Sequence, residues 1–403
     1  MSIQKTKNKV TFGRPYLEKT ENKKIRLCCD IIGIKNDPIK IWYETEEKYE
    51  EYLTYEKTDA FLVAMLPYLM VHTSHENHTV VELKQPISEK LYYQLTTIFI
   101  PALSNFTDVY NPIDLVCETD SKELVTEKKI ATGVSGGVDS FYTLLSNLNN
   151  EKQVYRITHG LYFNVGYLGG YEGDKELAQL NLSKEICKEM NIESIHIKSN
   201  ICREIYKIPH AMIVVNMFAS FPLALQKLLS VYFLSSEVSF ADFAFDVEDA
   251  EHFDLINAFS FSTENLSFYP AGGEVTRIQK TDFIADYDIA RKNLFVCRDI
   301  SGKSMDNCSR CSKCTRTMVQ LDALGKLDLF REVFDADAYK KNPNYYWGYF
   351  FFKGKDNVYT RETLDVIKKN GRKVPKGARI AGMIKIIKNG FKRENPLAKS
   401  YRP

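Results

Sequence analysis

The residues from Ser135 to Ser140, with the sequence Ser-Gly-Gly-Val-Asp-Ser, have the types and spacing needed to bind a phosphate group. Two adjacent glycines allow a backbone with positive φ, so several N–H groups can turn towards one point. An apolar stretch, 129–134, precedes the loop, and Phe141, Leu144 and Leu148 follow it at helical spacing. The loop is therefore predicted to lie between a strand and a helix, where the helix dipole also favours an anion.

The side chains of this loop have different expected roles. Ser135 and Ser140 supply hydroxyl donors, whereas the carboxylate of Asp139 suits a magnesium ion or its waters better than a phosphate. The alternative is a surface turn rich in Gly, Ser and Asp. The predicted anion site comprises Val134, Ser135, Gly136, Gly137, Val138, Asp139 and Ser140.

Four cysteines lie close together in the sequence at Cys297, Cys308, Cys311 and Cys314. Four thiolates can close a tetrahedral metal site without an open position for water, which predicts a structural zinc. An iron–sulfur cluster is the alternative, because cysteines at this spacing also bind iron. Disulfides are not expected, since the total of nine cysteines is odd and nothing marks the chain for secretion.

The loop resembles the SGGxDS motif of the PP-loop, N-type ATP pyrophosphatases, and differs from the Walker sequence. Together with the cysteine cluster it resembles 7-cyano-7-deazaguanine synthase and its relatives over roughly residues 126–330. The resemblance implies an adenine nucleotide alpha hydrolase-like α/β fold with a doubly wound, mostly parallel sheet, and ATP, Mg²⁺ and Zn²⁺ as cofactors. The long gap from Cys297 to Cys308 departs from the synthase pattern, so the deazaguanine substrate is not carried over.

The segment between the two motifs alternates between strand and helix patterns. We predict a strand over 154–163, a helix from about 174 to 190, and a strand over 194–198. In the helix, Leu177, Leu180 and Ile186 are predicted to face inward. Ligands of such sheets bind at the carboxyl ends of the strands. By resemblance, Phe163 and Asn164 read the adenine edge there; a strand-ending turn is the alternative.

Two basic residues, Arg277 and Lys280, are one helical turn apart and are predicted to share a helix face. Cations facing the glycine-rich loop could hold the α-phosphate or the leaving pyrophosphate, and an exposed basic face is the alternative. Arg316, two residues after the last cysteine of the cluster, is a similar candidate. Asp139, Arg277 and Lys280 are therefore the predicted catalytic residues.

The chain of 403 residues divides by pattern into three parts. Residues 1–125 are predicted to form an α+β accessory or substrate-lid domain, with strands at 25–32 and 39–43 and apolar segments of uncertain type at 60–71 and 92–100. Residues 126–330 form the nucleotide domain, and 331–403 a C-terminal extension. No apolar stretch reaches the ~20 residues of a membrane span, so no membrane partner and a cytoplasmic location are predicted.

The extension is strongly basic and aromatic. From Lys340 onward it has seventeen Lys and Arg against four Asp and Glu, a net charge of +13, whereas the whole chain carries +2 and residues 1–339 therefore carry −11. Such a segment could bind nucleic acid, an acidic partner protein, or the acidic body of its own chain, and a homodimer is also possible. Because Leu364, Val366 and Ile367 make it too apolar for a solvated nucleic-acid arm, self-packing or a protein partner is favoured.

These patterns predict an enzyme that adenylates a carboxylate or amide oxygen of a small-molecule or carrier-bound substrate. ATP would be converted to AMP and pyrophosphate, and a nitrogen nucleophile would then attack the adenylate. Positioning and charge neutralisation suffice for attack on the α-phosphorus, which fits the absence of histidine from both motifs. ATP-dependent sulfur transfer to tRNA or a thioamide product is one alternative, and a non-catalytic ATP-binding module is another.

Overall fold

The computed structural model describes residues 8–72, 79–166, 170–204, 208–246, 249–297, 306–354 and 358–389. Within these ranges the strands are β1 (Asn8–Phe12), β2 (Tyr16–Thr20), β3 (Lys24–Ile32), β4 (Ile39–Glu46), β5 (Thr79–Leu83), β6 (Ile87–Ser88), β7 (Ile113–Val116), β8 (Thr119–Asp120), β9 (Lys129–Gly133), β10 (His159–Asn164), β11 (Glu193–Ser199), β12 (Leu229–Ser235) and β13 (Ser267–Ala271).

The α-helices in the same ranges are α1 (Asp59–His72), α2 (Glu89–Gln94), α3 (Ile100–Phe106), α4 (Val138–Asn147), α5 (Asp174–Glu189), α6 (Ile201–Glu204), α7 (His210–Ala224), α8 (Asp254–Phe261), α9 (Arg277–Ile284), α10 (Asp288–Asn293), α11 (Ser312–Leu324), α12 (Ala336–Lys341), α13 (Pro343–Gly354), α14 (Val358–Lys369) and α15 (Ala378–Asn389). A π-helical turn, Leu95–Phe99, joins α2 to α3. Among the described residues, no helix is long and apolar enough to span a bilayer.

One large sheet contains eleven of these strands, in the order β13-β12-β9-β10-β11-β4-β3-β1-β5-β7, with β2 also paired to β3. The five strands from β13 to β11 are parallel, as are β1, β5 and β7. Antiparallel pairs join β11 to β4, β4 to β3, and β3 to both β1 and β2. The expectation of an α/β fold with a largely parallel sheet is confirmed, and the arrangement is compatible with a doubly wound fold.

The sheet separates two hydrophobic cores. Along β9, Ile130 belongs to one core and Ala131 to the other, and along β12 Phe233 and Tyr232 divide in the same way. Successive residues of a strand point to opposite faces, so one strand can supply both cores. The first core, to which Ala131 and Tyr232 belong, contains α1 and α7. The second core, to which Ile130 and Phe233 belong, contains α4, α9, α11 and part of α13.

Helices α1 and α7 pack against each other, and nearly every residue of each is buried. A helix that is apolar on all sides has no amphipathic period, which explains why the segment 60–71 could not be assigned from its pattern. This helix pair, together with the β11–β4 pairing, places the first 125 residues on the same sheet as the rest. The domain boundary at 125 stays a prediction, but it does not coincide with a break in the sheet.

Two local predictions need correction. The strand predicted from residue 154 begins at His159, because the preceding residues bond back to the end of α4: Ile157 N–H donates to the Asn147 carbonyl at 3.3 Å. In α5, Leu180 faces inward as predicted, whereas Leu177 is 39% exposed. The predicted strands 25–32, 39–43 and 194–198 correspond to β3, β4 and β11.

Candidate functional site

The glycine-rich loop connects the end of β9 to the start of α4. Gly136 has a φ of +76°, and a Cβ at this position would lie 3.1 Å from Cδ2 of Leu182. Its carbonyl accepts a hydrogen bond from Phe295 N–H at 2.9 Å. Glycine is therefore required both for the backbone conformation and for the close packing against α5.

The two loop serines stabilise the loop itself. Ser140 Oγ accepts the Ser135 N–H at 3.1 Å and donates to the Gly133 carbonyl at 2.8 Å, while Ser135 Oγ accepts the Gly137 N–H at 3.3 Å. The Ser140 hydroxyl hydrogen is therefore used within the loop, whereas Ser135 Oγ accepts a bond there and can still donate to an anion. The first N–H groups of α4 have no acceptor within the helix, as at any helix start, and the residues that carry them line a cavity.

Asp139, Arg277 and Lys280, the three predicted catalytic residues, meet in one ion cluster. Asp139 Oδ2 accepts a hydrogen bond from Arg277 Nη1, and its Oδ1 lies 3.3 Å from Lys280 Nζ. The side chains of Arg277 and Lys280 are only 4% and 0% exposed, against 18% for Asp139. The alternative of an exposed basic face is therefore wrong, and the cluster carries one excess positive charge beside the loop.

Local structure explains how α9 presents its two cations. Thr276 and Gln279 form a capping box that fixes the first turn of the helix. Gly272 just before it has a φ of +85°, and a Cβ there would lie 3.0 Å from Lys280 Cε. The lysine stem thus runs against bare backbone, and its Nζ also donates to the carbonyl of Ser236 at the end of β12.

A cavity of about 430 Å³ opens at the carboxyl ends of β9, β10 and β12, where a largely parallel sheet binds its ligands. One end of it is apolar and the other is charged. The apolar end includes Leu161, Phe163, Val165, Val214 and Phe218. The charged end includes Asp139, Arg277, Glu237, Glu251, Asp254 and Lys313.

Phe163 and Asn164 have different positions relative to this cavity. The Phe163 ring forms part of the wall and stacks on Phe218 and Phe221, with ring centroids 5.6 and 4.5 Å apart. Asn164 is 1% exposed; its Nδ2 donates to the Tyr171 carbonyl and its Oδ1 accepts the Gly166 N–H, both at 3.0 Å. Asn164 therefore forms the strand-ending turn, and its side chain does not line the cavity in the described structure.

Three acidic residues of the charged end, Glu237, Glu251 and Asp254, were not predicted from the sequence. Burial and the neighbouring Glu237 raise the pKa of Glu251 well above its usual range, and burial raises the pKa of Asp254 to about 7. Burial opposes ionisation of Glu237, but Lys313 and Arg316 outweigh it and hold its pKa well below the usual range. The available signal for Glu237 was its position directly after a parallel strand.

The four predicted cysteines are brought together beside this cavity. Their Sγ atoms all lie within 4.8 Å of one another, and those of Cys308 and Cys314 are 4.0 Å apart. A single zinc with bonds of about 2.3 Å places its sulfurs about 3.8 Å apart, so the group can hold one zinc ion. A [4Fe–4S] cluster would hold the sulfurs further apart, because each cysteine binds a different iron.

Backbone geometry supports a bound cation at this centre. Backbone N–H groups of Cys308, Cys311 and Cys314 donate to cysteine sulfurs at 3.2–3.5 Å, an arrangement that stabilises thiolates. A hydrogen bond with Cys311 and burial raise the pKa of the Cys314 thiol well above its usual range, so four thiolates need a metal charge to form together. Cys297 also lines the cavity, which places the centre next to the charged end.

Arg316 lies on α11, two residues after Cys314. Its Nη2 is 3.2 Å from Glu237 Oε1, and its guanidinium lies 4.0 Å from the ring centroid of Tyr359 in the C-terminal extension. It therefore contributes to the charged end through Glu237 and is not an exposed cation.

Compared with known proteins, the chain matches no protein-family model, no curated protein and no solved structure.

Proposed function

We propose that this protein is an ATP-dependent adenylating enzyme whose nucleotide lies in the cavity beside the glycine-rich loop. The observation that carries the proposal is the cluster of Asp139, Arg277 and Lys280 at the start of α4. Two cations from a separate helix converge there on the loop that the sequence predicted to bind phosphate. The resemblance to the PP-loop ATP pyrophosphatases assigns the same chemistry to this loop.

An unsatisfied donor at the charged end supports an anionic ligand. Arg277 lines the cavity and is 4% exposed, yet its Nε has no hydrogen-bond partner among the described residues. A buried donor without a partner costs about 1–3 kcal/mol, and a phosphate oxygen would remove that cost. The apolar end, with the stacked Phe163 and Phe218 rings, suits the flat adenine base.

Magnesium is the expected companion of the triphosphate. Asp139 lines the cavity with a partly exposed carboxylate, and hard oxygen donors of this kind fit Mg²⁺ directly or through water. When bound, the ion would neutralise charge on the phosphate oxygens. Arg277, which lines the cavity, would hold the same oxygens from the protein side and orient the α-phosphate for in-line attack, whereas the fully buried Lys280 would act through Asp139.

The proposed reaction has two steps. A carboxylate or amide oxygen of the substrate forms a bond to the α-phosphorus, and the bond from that phosphorus to the bridging oxygen breaks, releasing pyrophosphate. A nitrogen nucleophile then attacks the activated carbon, AMP leaves, and the nitrogen loses a proton to solvent. This sequence is similar to that of 7-cyano-7-deazaguanine synthase, without its substrate being assigned to this chain.

Sulfur transfer remains the alternative, but in the part of the chain that the structure describes no cysteine outside the four-cysteine group lines the cavity. Burial raises the pKa of Cys117, Cys187 and Cys202 to about 11 and that of Cys28 to about 12, so these thiols stay protonated at neutral pH. Among the described residues, the only cysteine that lines the cavity is Cys297, which belongs to the metal group. A nitrogen nucleophile is therefore the preferred second reactant.

Product analysis with ATP labelled at the α- and γ-phosphates tests the proposal. With Mg²⁺ and a small-molecule cell extract as substrate source, the protein should release AMP and pyrophosphate, and Asp139→Asn should lose nearly all of this activity. Asp288→Asn, which changes a surface carboxylate with a 76% exposed side chain, is the matched control. Release of ADP and phosphate would contradict the proposal, and intact bound ATP would indicate a binding module.

A further inference from the structure

Helix α14 of the basic extension lies against α9 and α11, the two helices that supply the cations of the site. Tyr359, in its first turn, donates a hydrogen bond from its hydroxyl to Glu237 Oε1 at 2.9 Å. Glu237 in turn lines the charged end of the cavity. A residue of the extension therefore contacts the site through the Glu237 carboxylate.

Glu237 is held by three groups that come from three different elements. Its Oε1 accepts both the Tyr359 hydroxyl and Arg316 Nη2, and Glu251 forms a further hydrogen bond with its side chain. The Tyr359 ring also supports the Arg316 guanidinium at 4.0 Å, which fixes the orientation of the cation. Tyr359 thus contacts both residues of the ion pair, Glu237 through its hydroxyl and Arg316 through its ring.

Two further contacts join α14 to the surroundings of the charged end. Glu362 Oε2 accepts the Ile278 N–H at 3.3 Å in the first turn of α9, next to Arg277. Arg361 forms an ion pair with Asp242 on the segment that follows β12. Helix α14 therefore contacts both α9 and the segment after β12, which places Tyr359 beside Glu237.

We infer that Tyr359 is a positioning residue of the proposed ATP site, which with Arg316 keeps the Glu237 carboxylate compensated and turned away from the phosphates. The inference rests on the proposed function. Glu237 shares the cavity wall with Arg277, so an uncompensated carboxylate would repel the triphosphate and compete for that arginine. The extension is on this view a part of the nucleotide site.

The sign of the effect follows from the charge on Glu237. Tyr359→Phe keeps the ring that supports Arg316 and removes one donor to Glu237, so Mg·ATP should bind about tenfold more weakly. Glu237→Gln removes the repelling charge, so the added change Tyr359→Phe should have little effect in that background. The two substitutions should therefore be non-additive.

The experiment is a double-mutant cycle on full-length protein, with the Kd for Mg·ATP measured by calorimetry and the KM measured from pyrophosphate release. Tyr345→Phe is the matched control, because it removes a tyrosine hydroxyl from the 40%-exposed position in α13. We expect the Kd and KM of Tyr359→Phe to rise together and the melting temperature to stay within a few degrees of wild type. A merely structural role would lower the active fraction and leave KM unchanged.

Two results would overturn the inference: an unchanged Kd in Tyr359→Phe, or additive effects of the two substitutions. A wild-type protein that binds ATP but releases no pyrophosphate contradicts the proposed function alone, because the cycle in Kd still tests Tyr359. Should wild type bind no ATP, hydrogen exchange around Arg316 decides. Faster exchange in Tyr359→Phe than in Tyr345→Phe would support the positioning of the Arg316–Glu237 pair by Tyr359, and equal exchange would refute it.

Discussion

At the scale of single residues, Asp139 connects the glycine-rich loop to the two cations of α9. A buried ion cluster of this kind contributes little net stability, because desolvation of the charges offsets their attraction. Removing one partner is costly, since Arg277 and the fully buried Lys280 would then lack their anion. Under the proposed function, the cluster serves as a preformed anion site, and net stability is not its main contribution.

Gly136 provides a residue-scale test of the loop geometry. Gly136→Ala should lower the free energy of unfolding by about 1–2 kcal/mol, because alanine disfavours the left-handed backbone that φ of +76° requires. Urea denaturation measures this change. Gly137→Ala is the matched control: its backbone is extended, and its Cβ would meet Ser135 Oγ at an ordinary 3.4 Å. Equal losses in both variants would mean that the loop has another conformation.

At the scale of elements, helix α11 connects the four-cysteine group to the cavity. Cys311 is the N-cap of this helix, and its Sγ accepts the Cys314 N–H. One turn further along, Arg316 contacts Glu237. The cysteines therefore fix the start of the helix that carries a cation of the charged end, so a zinc ion bound to them should affect the geometry of the cavity.

Cys311→Ser should lower the zinc content and the melting temperature together, because binding energy at such a centre is also folding energy. Metal analysis of anaerobically purified protein and thermal unfolding measure the two effects. Cys117→Ser, which changes a half-buried thiol outside the cluster, should leave both unchanged. Several irons with sulfide in place of about one zinc would contradict the zinc assignment and favour sulfur transfer.

At the scale of the whole molecule, the basic extension packs against the body of its own chain. Trp347 and Tyr346 of α13 are buried in the second core, and Trp347 Nε1 donates to Asp322 Oδ2 at 3.3 Å. Ile367 of α14 is also buried. Residues 355–357 and 390–403 of the extension lie outside the described residues. Self-packing is thus supported for the described part.

One face of the last described helix stays open to a partner. Along α15 the exposed apolar residues are Ile380, Met383, Ile384 and Ile387, spaced so that they share one face. The opposite face packs on α13, where Ala381 and Gly382 approach Gly348. We therefore propose an acidic protein partner or a second copy of the chain for this surface. Nucleic acid is the less favoured partner, because the exposed residues of this face are aliphatic.

Truncation distinguishes these roles. Cutting the chain after Tyr339 should give an unstable or insoluble protein, because it removes the buried aromatic residues of α13 and the Tyr359 contact. Cutting after Asn389 removes only the last fourteen residues and should leave melting temperature and ATP turnover intact. A stable protein after the longer cut would refute self-packing. Co-purifying nucleic acid that is lost with the shorter cut would make nucleic acid the leading partner.

The sequence by itself determined the local chemistry of this protein. The glycine-rich loop, the four cysteines and the strands β3, β4 and β11 follow from short-range patterns of glycine, thiol and apolar residues, which act over a few positions of the chain. It also indicated that Arg277 and Lys280 share a helix face, since one turn of a helix sets that spacing.

Only the tertiary structure decided which distant residues meet. The ion cluster joins Asp139 to residues 138 and 141 positions away, and Glu237 meets Tyr359 across 122 positions. Such pairs carry no local signal, because they depend on the order of strands in the sheet. The role of Asn164 likewise depends on its tertiary contact with the Tyr171 carbonyl. Helix α1 shows a second limit: most of its residues are buried, so its sequence has no amphipathic periodicity from which a helix could be predicted.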